Sequence, residues 1–359
     1  MKRDKEKMYY SKVVQKDMEE LSERKELPIE ELKGKKIMVT GANGMLATYL
    51  VYFFMYLNDK KNSEIEVYAL ARNEEKAKNR FGIFEKNEYF HLILGDVCEK
   101  IEYDINNIDF VIHAAGNASP KYITSDPVGI IKSNVIGTLN ILEYSKKWKT
   151  TRVLFTSTRE VYGAVASNVS EIRECDYGVE DPTNLRSCYP ESKRMAETLL
   201  ESYKQQFGID YVTVRIAHSY GPGMNINQDG RVMADFISDI VNKRDIVLKS
   251  TGEAERAFCY ITDAISGMLI ALLNGKSGKA YNLANEKEPM KIRDVAQMLT
   301  KIFKKRKCEV IYKIPEQMSV GYSKIARTKL CTDELEQIGW KCRVSLEKGL
   351  KNTVLSYSE

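Results

Sequence analysis

Short apolar runs of strand length alternate with amphipathic stretches of helix length through residues 35–217. The runs are Lys36–Thr40, Ile65–Leu70, His91–Leu94, Phe110–His113, Arg152–Ser157 and Tyr211–Ile216. Strands separated by helix-length segments predict right-handed βαβ units, which build a parallel sheet covered by helices on both faces. The alternation therefore predicts a doubly wound α/β fold.

A glycine-containing turn follows the first of these runs and precedes an apolar helix. Its residues are Thr40-Gly41-Ala42-Asn43-Gly44-Met45-Leu46-Ala47. Gly41 permits the tight turn, Gly44 lets the backbone approach a pyrophosphate, and Ala47 lets the helix lie close to the sheet. An anion then sits at the helix N-terminus, facing unpaired N–H groups. At the start of a βαβ series, this turn predicts a dinucleotide site in a Rossmann-like sheet.

The end of the second predicted strand bears on the choice of dinucleotide. NAD-selective sites usually place a carboxylate there, whereas this chain has Ala71-Arg72-Asn73. Arg72 is placed to pair with a 2′-phosphate, so the sequence slightly favours NADP over NAD; the alternative is a solvated arginine beside the adenosine. Asp96, with Val97, ends the third strand and is predicted to contact adenine, although Asp96 also suits a helix cap.

A Tyr-x-x-x-Lys pattern, Tyr189 to Lys193, opens a helical stretch. Four-residue spacing puts both side chains on one face of a helix. A lysine ammonium and a cationic nicotinamide ring both favour the phenolate, so they lower the tyrosine pKa and suit Tyr189 to act as base or acid. The alternative is an exposed helix with a buried tyrosine. Upstream, a strand leads into Thr158, whose hydroxyl is expected at the ligand-binding edge of the sheet.

The chain divides into three predicted regions. Residues 1–34 are a charged N-terminal helical extension, in which Val13, Val14, Met18 and Leu21 recur at helical spacing. We expect this helix to lie on the surface of the main domain; a dimerisation or partner helix is the alternative. Residues 35–217 are the predicted dinucleotide-binding domain, which also receives part of 255–285. Residues 218–359 are mainly a smaller, interleaved substrate-binding region, because the alternation loosens there.

Composition excludes several classes of protein. With 43% hydrophobic and 29% charged residues over 359 positions, the chain is typical of a soluble globular protein. Lys and Arg number 55 against 50 Asp and Glu. That excess does not call for nucleic acid, though it suits a small anionic ligand. No apolar run reaches the roughly 18 residues of a membrane span. The seven scattered cysteines form no CxxC pair, and the charged N-terminus lacks a signal core, so we expect reduced thiols in the cytoplasm.

Taken together, the motifs resemble the extended short-chain dehydrogenase/reductases, and more closely the nucleotide-sugar epimerases, dehydratases and decarboxylases. The resemblance covers about residues 33–355. Two segments look most like UDP-glucuronate decarboxylases: Arg186–Arg194 and the stretch from Gly221-Pro222-Gly223 through Asp229-Gly230-Arg231. The carrying motifs are Gly41–Ala47, His113-Ala114-Ala115-Gly116, Asn134 with Gly137-Thr138, Thr158-x-Glu160-Val161-Tyr162-Gly163 and Tyr189-x-x-x-Lys193.

This resemblance implies roles for particular residues. Tyr189 would remove the proton of the sugar 4-hydroxyl while hydride leaves carbon 4, Lys193 would hold the nicotinamide ribose, Thr158 would bind the reacting oxygen, and Glu160 would assist the step after oxidation. Substrate contacts are expected from Arg159, His218, Arg231 and Arg256. The expected cofactor contacts, besides Tyr189 and Lys193, are Gly41, Asn43, Gly44, Met45, Arg72, Asp96, Val97, Ala114, Ala115, Gly116 and Asn134. A homodimer is expected.

Three positions depart from the family pattern. Sugar 4,6-dehydratases carry Asp-Glu where this chain has Arg159-Glu160, and an arginine cannot protonate a departing hydroxyl at neutral pH. Arg159 suits a substrate carboxylate instead, or a salt bridge with a neighbouring acid. His218 replaces a usual asparagine, and a packed core histidine is an equal alternative. Gly223 stands where decarboxylases usually have arginine, so one cationic contact is expected to be missing.

Several functions remain open from the sequence. Uronate decarboxylation and epimerisation through a transient 4-keto sugar are equally supported, with dehydration behind them. A reductase that consumes NADPH is favoured only by Arg72. The retention of Tyr189 and Lys193 argues against a scaffold that merely binds dinucleotide. His91 and His113 lie on predicted strands and are interpreted as structural, and no metal site is expected.

Overall fold

The computed structural model describes residues 8–101, 103, 105–227, 229–314 and 328–358. Residues 1–7 of the predicted N-terminal extension lie outside this range. The strands are β1 (Lys36–Thr40), β2 (Glu66–Ala71), β3 (Phe90–Leu94), β4 (Phe110–His113), β5 (Arg152–Thr158), β6 (Glu171–Ile172), β7 (Tyr211–Ile216), β8 (Ser219–Tyr220), β9 (Ile246–Leu248), β10 (Glu255–Arg256), β11 (Cys259–Tyr260), β12 (Lys279–Leu283), β13 (Met290–Lys291), β14 (Val310–Tyr312) and β15 (Lys329–Leu330).

Seven of these strands form one sheet in the order β12-β7-β5-β4-β1-β2-β3, and every pair in it is parallel. The order reverses direction at β1, which lies between β2 and β4. In an open parallel sheet, ligands bind beyond the carboxyl ends of the strands at such a switch point. The predicted doubly wound α/β fold is confirmed, and the glycine turn lies at the switch.

Helices cover both faces of this sheet. The helices of the described residues are α1 (Lys12–Ser22), α2 (Met45–Lys61), α3 (Glu74–Phe81), α4 (Pro120–Ser125), α5 (Pro127–Trp148), α6 (Cys188–Phe207), α7 (Val232–Val241), α8 (Ile261–Asn274), α9 (Ile292–Ile302), α10 (Asp333–Gln337) and α11 (Leu346–Ser356). Helices α2 and α8 pack on one face of the sheet, and α5 and α6 on the other.

Alternate residues of β1 belong to two different cores. Ile37 and Val39 pack with the apolar side chains of α2 and α8, whereas Met38 packs with those of α5 and α6. Successive side chains of a strand point to opposite faces, so a strand covered on both faces is apolar throughout. This explains why the predicted runs are continuous rather than alternating.

Helix α1 is built into the first of these cores. Val14, Met18 and Leu21 are fully buried. Asp17 accepts hydrogen bonds of 2.6 Å from the hydroxyls of both Tyr49 on α2 and Tyr260 before α8. The predicted helix is present and lies on the main domain, but its inner face is core rather than surface.

The region after residue 217 contributes one strand to the main sheet. Strand β12 lies at the edge of the main sheet beside β7. The remaining strands form four short pairs, β8 with β11, β9 with β14, β10 with β13 and β6 with β15. The division of the chain at residue 217 stays a prediction. Across the part of the chain that the structure describes, no helix is long and apolar enough to span a membrane.

Candidate active site

The glycine turn joins β1 to α2 and is packed against the end of β4. Gly41 has a positive φ of 65°, and a Cβ added to it would lie 2.7 Å from the Ala115 Cα and 2.8 Å from the Ala114 oxygen. Only glycine fits this contact. Gly44 precedes the first residue of α2, Met45, so the helix N-terminus opens beside the turn. The structure thus brings together Gly41, Gly44, Met45, Ala114 and Ala115, as predicted.

Two asparagines near the turn present buried amide oxygens. Asn43 donates from Nδ2 to the Asn73 carbonyl at 2.9 Å, and Asn134 donates from Nδ2 to Ser192 Oγ at 2.9 Å. Among the described residues, neither Oδ1 atom has a hydrogen-bond partner. A Cβ on Gly116 would lie 2.8 Å from Asn134 Oδ1 and 3.4 Å from Lys193 Nζ. These residues fit a dinucleotide, because the cradle has open backbone, acceptors without partners and a helix N-terminus.

Arg72 and Asp96, both predicted to contact the adenosine end of the cofactor, instead contact each other. The Arg72 guanidinium lies 3.2 Å from Asp96 Oδ2, and its side chain is 75% exposed. Partial burial raises the Asp96 pKa, but hydrogen bonds from Cys98 and Arg72 outweigh it and hold the pKa below its ordinary value. Asp96 Oδ1 also caps the following turn through the Cys98 N–H at 2.9 Å. Asp96 therefore caps a turn, and no helix directly follows it among the described residues.

Val97 is packed beneath α5. Its carbonyl accepts a hydrogen bond of 2.9 Å from Asn140 Nδ2, and a Cβ on Gly137 would lie 2.7 Å from its Cγ2. The side chain is buried. Val97 therefore holds the end of β3 against α5, on the side of the sheet where adenine is predicted.

Tyr189 and Lys193 lie one turn apart on α6, with exposures of 6% and 3%. The Tyr189 hydroxyl lies near enough to Thr158, at the end of β5, for that side chain to lower its pKa in part. Lys193 Nζ donates to the Thr156 carbonyl at 2.8 Å and lies 4.5 Å from the centre of the Phe155 ring. Three of the four predicted catalytic residues, Thr158, Tyr189 and Lys193, thus lie at the carboxyl edge of the sheet.

Burial dominates the ionisation of both groups. It raises the pKa of Tyr189, and the nearby charge of Glu160 raises it further, while the Thr158 hydrogen bond, Arg231 and Arg186 lower it in part. Burial lowers the Lys193 pKa to about 7, against the opposing charge of Glu197. The expected depression of the Tyr189 pKa is wrong for the protein alone. The reason is that desolvation of the phenolate exceeds the effect of the neighbouring cations.

Glu160 is held by an arginine to which the sequence assigned no role. Nη2 of Arg186 lies 2.7 Å from each carboxylate oxygen of Glu160. Both residues also contribute to the electrostatics of Tyr189, so the pair lies beside the reacting hydroxyl. The signal was present, because Arg186 belongs to the decarboxylase-like segment before Tyr189. What the sequence does not show is that its partner would be Glu160.

The predicted substrate residues lie on different elements. Arg231, the residue before α7, pairs with Asp229 and is close enough to Tyr189 to influence its pKa. Arg256 lies on β10, which pairs with β13, whereas His218 directly precedes β8, which pairs with β11. The centre of the His218 ring is 5.9 Å from that of Phe258, and the backbone N–H of Cys259 donates to the His218 carbonyl. Arg159 is half-buried and begins a single 3₁₀ turn that ends at Tyr162.

His113 is a structural residue. Its ring is buried between the hydroxyls of Thr40, 2.7 Å from Nδ1, and Thr138, 3.1 Å from Nε2. Burial, with a smaller contribution from Lys193, lowers its pKa to about 3, so the imidazole is neutral at physiological pH. Within the described residues, no group of three or more His, Cys, Asp or Glu side chains is arranged to hold a metal ion.

Known proteins resemble this chain along most of its length. UDP-glucuronic acid decarboxylase 6 of Arabidopsis thaliana is 33% identical over 316 residues, which are 88% of this chain and 86% of that protein. The structure of UDP-N-acetylglucosamine 4-epimerase from Methanobrevibacter ruminantium superposes with a TM-score of 0.76 at 21% identity, covering 91% of this chain and 99% of that one. UDP-glucuronic acid 4-epimerase from Bacillus cereus, solved with NAD, gives 0.72 at 23% identity, with 90% and 96% covered.

The two solved structures share the fold of this chain. A sequence model entitled NAD dependent epimerase/dehydratase family matches residues 37–284, from the first strand of the sheet to the end of the last. This confirms the resemblance drawn from the motifs and the expectation of an NAD(P)-dependent enzyme, and it supports NAD without supporting the slight preference for NADP. With the glycine turn, Thr158, Tyr189 and Lys193 placed in one site, the chain belongs to the NAD dependent epimerase/dehydratase family.

Proposed function

We propose that the protein oxidises a UDP-uronate at carbon 4 and then decarboxylates the 4-keto sugar. The observation that carries the proposal is the group around Tyr189: a buried phenol close to Thr158 and to the Glu160 carboxylate, which Arg186 holds at both oxygens. The likeness to plant UDP-glucuronic acid decarboxylases at about one-third identity supports the same reaction. Epimerisation, favoured equally by the sequence, becomes the competing outcome of the test.

Each residue of this group has a task in the reaction. When bound, NAD would supply a hydride acceptor for carbon 4. Ionised to the phenolate that the Lys193 ammonium and the nicotinamide cation favour, Tyr189 would accept the proton of the 4-hydroxyl, Thr158 would hold the same oxygen, and Lys193 would orient the ribose beside it. The resulting 4-keto group accepts the electron pair that is released when the carboxylate leaves carbon 5 as carbon dioxide. Glu160, fixed by Arg186, lies where it can direct the protonation that follows.

The test is to incubate the protein with UDP-glucuronate and NAD and to measure carbon dioxide and the nucleotide-sugar product by mass and proton NMR. Decarboxylation gives a UDP-pentose, whereas a product of unchanged mass with an inverted carbon identifies an epimerase. UDP-glucose and dTDP-glucose are the controls that expose dehydration. In Glu160→Gln we expect oxidation to persist, seen as reduced nicotinamide, while product formation falls about 100-fold.

We propose NAD as the cofactor, although the sequence slightly favoured NADP. Asp96 already neutralises the Arg72 guanidinium, and its carboxylate would repel a 2′-phosphate at the same place. The family model is named for NAD. We expect wild type to bind NAD more tightly than NADP, and Arg72→Ala to change both by less than about threefold. If Arg72→Ala loses affinity for NADP but not for NAD, the slight preference for NADP that the sequence indicated is correct.

We propose that Arg159 recognises the substrate carboxylate. It lies between Thr158 and Glu160 and starts the 3₁₀ turn, which breaks the strict alternation of strand β5. UDP-glucuronate should therefore bind more tightly than UDP-glucose, and Arg159→Gln should erase about 1–3 kcal/mol of that difference. Competition binding of both sugars to wild type and variant measures it, and equal affinity of wild type for the two sugars contradicts the role.

We propose a homodimer formed through α5. That helix exposes an apolar stripe, with Val128 60%, Ile131 43%, Ile136 40% and Leu139 38% exposed. These positions recur at three- to five-residue spacing along one side of a helix of 22 residues. An apolar stripe on an otherwise charged surface favours burial against a second copy.

A further inference from the structure

Arg80, near the end of α3, bridges the two halves of the predicted active site. Its Nη1 donates to Thr48 Oγ1 at 2.5 Å, and its Nη2 donates to the Gly223 carbonyl at 2.9 Å. The two acceptors belong to segments far apart in sequence, and Arg80 touches both at once. Neither the sequence motifs nor the functional proposal gives this arginine a role.

The first acceptor belongs to the dinucleotide side. Thr48 lies in the first turn of α2, immediately after the glycine turn, and its hydroxyl donates to the Ala42 carbonyl inside that turn at 2.7 Å. Arg80 is therefore connected through one hydroxyl to the backbone of the turn itself. A shift of the glycine turn would therefore move the Thr48 hydroxyl and change its hydrogen bond with the Arg80 guanidinium.

The second acceptor belongs to the substrate side. Gly223 lies in the segment that we call the substrate loop, the described residues 221–227 and 229–231, which ends at Arg231, close enough to Tyr189 to lower its pKa in part. The loop has two further anchors: the Tyr357 hydroxyl donates to the Met224 carbonyl, and Ser119 Oγ donates to the Asp229 carbonyl at 2.7 Å. Of these three contacts, only that of Arg80 leads back to the glycine turn.

The backbone conformation and the close surroundings of Gly223 allow the contact with Arg80 but leave no room for a side chain at position 223. Gly223 has a φ of +83°, and a Cβ on it would lie 2.6 Å from Met8 Cε and 3.5 Å from Arg80 Nη1. The space in which an arginine at position 223 would begin is thus filled by Met8 and by a guanidinium from α3. The cation that the sequence shows to be missing at 223 is supplied nearby from another element.

The charge of Arg80 is not matched by an acid. Among residues 8–101, 103, 105–227, 229–314 and 328–358 no carboxylate forms a salt bridge with it, and burial lowers its pKa. A mostly buried guanidinium whose partners among the described residues are a hydroxyl and a carbonyl is costly, because both are weaker partners than a carboxylate. Such a residue constrains geometry more than it adds stability.

We propose that Arg80 is a positioning residue for the nucleotide sugar: it fixes the substrate loop relative to the glycine turn, so that Arg231 is held beside Tyr189. The inference rests on the proposed function, because it takes the substrate loop to bind the nucleotide sugar. It assigns Arg80 no contact with the reacting atoms. Substrate affinity should therefore depend on Arg80 more strongly than the chemical step does.

Arg80→Met tests this, since methionine keeps an apolar stem and removes the guanidinium. We expect the KM for UDP-glucuronate to rise about tenfold, as for loss of a charge-assisted hydrogen bond, with kcat changed by less than about twofold and one NAD still bound per chain. Arg80→Lys should recover part of the KM, because an ammonium reaches one acceptor. Arg244→Met, which removes an exposed guanidinium paired with Asp239, is the matched control and should leave KM unchanged.

Calorimetric titration with UDP separates this inference from the proposed reaction. If wild type binds UDP but does not decarboxylate UDP-glucuronate, the proposed function fails, and weaker UDP binding by Arg80→Met than by Arg244→Met still supports the loop contact. An unchanged KM and UDP affinity in Arg80→Met overturns the inference. So does a loss of NAD with unaltered UDP binding, or a wild type that does not bind UDP at all.

Discussion

Burial favours the neutral forms of two residues of the site, Tyr189 and Lys193. The phenol is stabilised because its anion would be desolvated, and the ammonium is destabilised for the same reason. Charges brought by ligands therefore have large effects here, since few solvent dipoles compete with them. Catalysis at this site depends on what binds to it as much as on the side chains themselves.

Replacing Tyr189 by phenylalanine keeps the buried ring and removes only the proton-transfer group. We expect turnover to fall by about 10²–10⁴, with cofactor content and melting temperature close to those of wild type. Steady-state rates and the absorbance of released cofactor measure the two properties. Activity within tenfold of wild type would show that another group takes the proton.

Lys193 gives the cofactor-free protein a pH-dependent stability. Its folded pKa of about 7 lies below the ordinary value of 10.5, so between these values the unfolded chain holds the extra proton. Stability then rises with pH in this window and is lost as pH falls toward 7. Relative to Lys193→Met, wild type should gain up to about 1.4 kcal/mol of unfolding free energy for each pH unit. Urea denaturation of both proteins at pH 7, 8 and 9 measures the slope, and parallel curves contradict it.

Sequence spacing located some residues of the site and not others. Tyr189, Lys193 and Thr158 were predictable, because one helical turn and one strand end determine their positions. Arg186 and Arg80 were not, because their partners Glu160 and Gly223 lie 26 and 143 residues away. A pairing across such distances depends on how elements pack, and no local pattern records it.

Among the elements, α1 differs most from its prediction. The helical spacing of Val14, Met18 and Leu21 was visible, but their complete burial was not. The same pattern suits a helix resting on a surface and one that closes a core. Buried polar contacts distinguish the two cases. Asp17 accepts hydrogen bonds from two tyrosines, and Arg24 pairs with Asp263 at 2.9 Å, with both side chains buried. The strands were simpler to predict, and β1, β4 and β7 have the predicted bounds.

Met18→Ala tests whether α1 is core. Truncating a fully buried methionine should cost about 2–5 kcal/mol of unfolding free energy. Lys16→Ala, at an exposed position of the same helix, should cost less than about 0.5 kcal/mol. Equilibrium denaturation of the three proteins gives both values. If both variants lose equally little unfolding free energy, α1 is the surface helix that the sequence suggested.

At the scale of the whole molecule, the proposed homodimer can be tested at the apolar stripe of α5. Ile131→Glu with Leu139→Glu places two charges on the stripe without touching the buried face of the helix. We expect wild type to sediment as a dimer at micromolar concentration and the double variant as a monomer of unchanged circular dichroism. A wild type that stays monomeric over that range contradicts the proposed interface.

The position of β12 has a consequence for how the protein is made. Strand β7 is the sixth strand of the sheet in chain order, yet its outer edge is covered only by residues 279–283. During translation, about sixty residues must leave the ribosome between these two strands, and until then β7 presents unpaired backbone groups to other chains. Ribosome-bound nascent chains should accordingly gain protease resistance around β7 only after β12 emerges. The yield of folded protein would then depend on the late synthesis of one short strand.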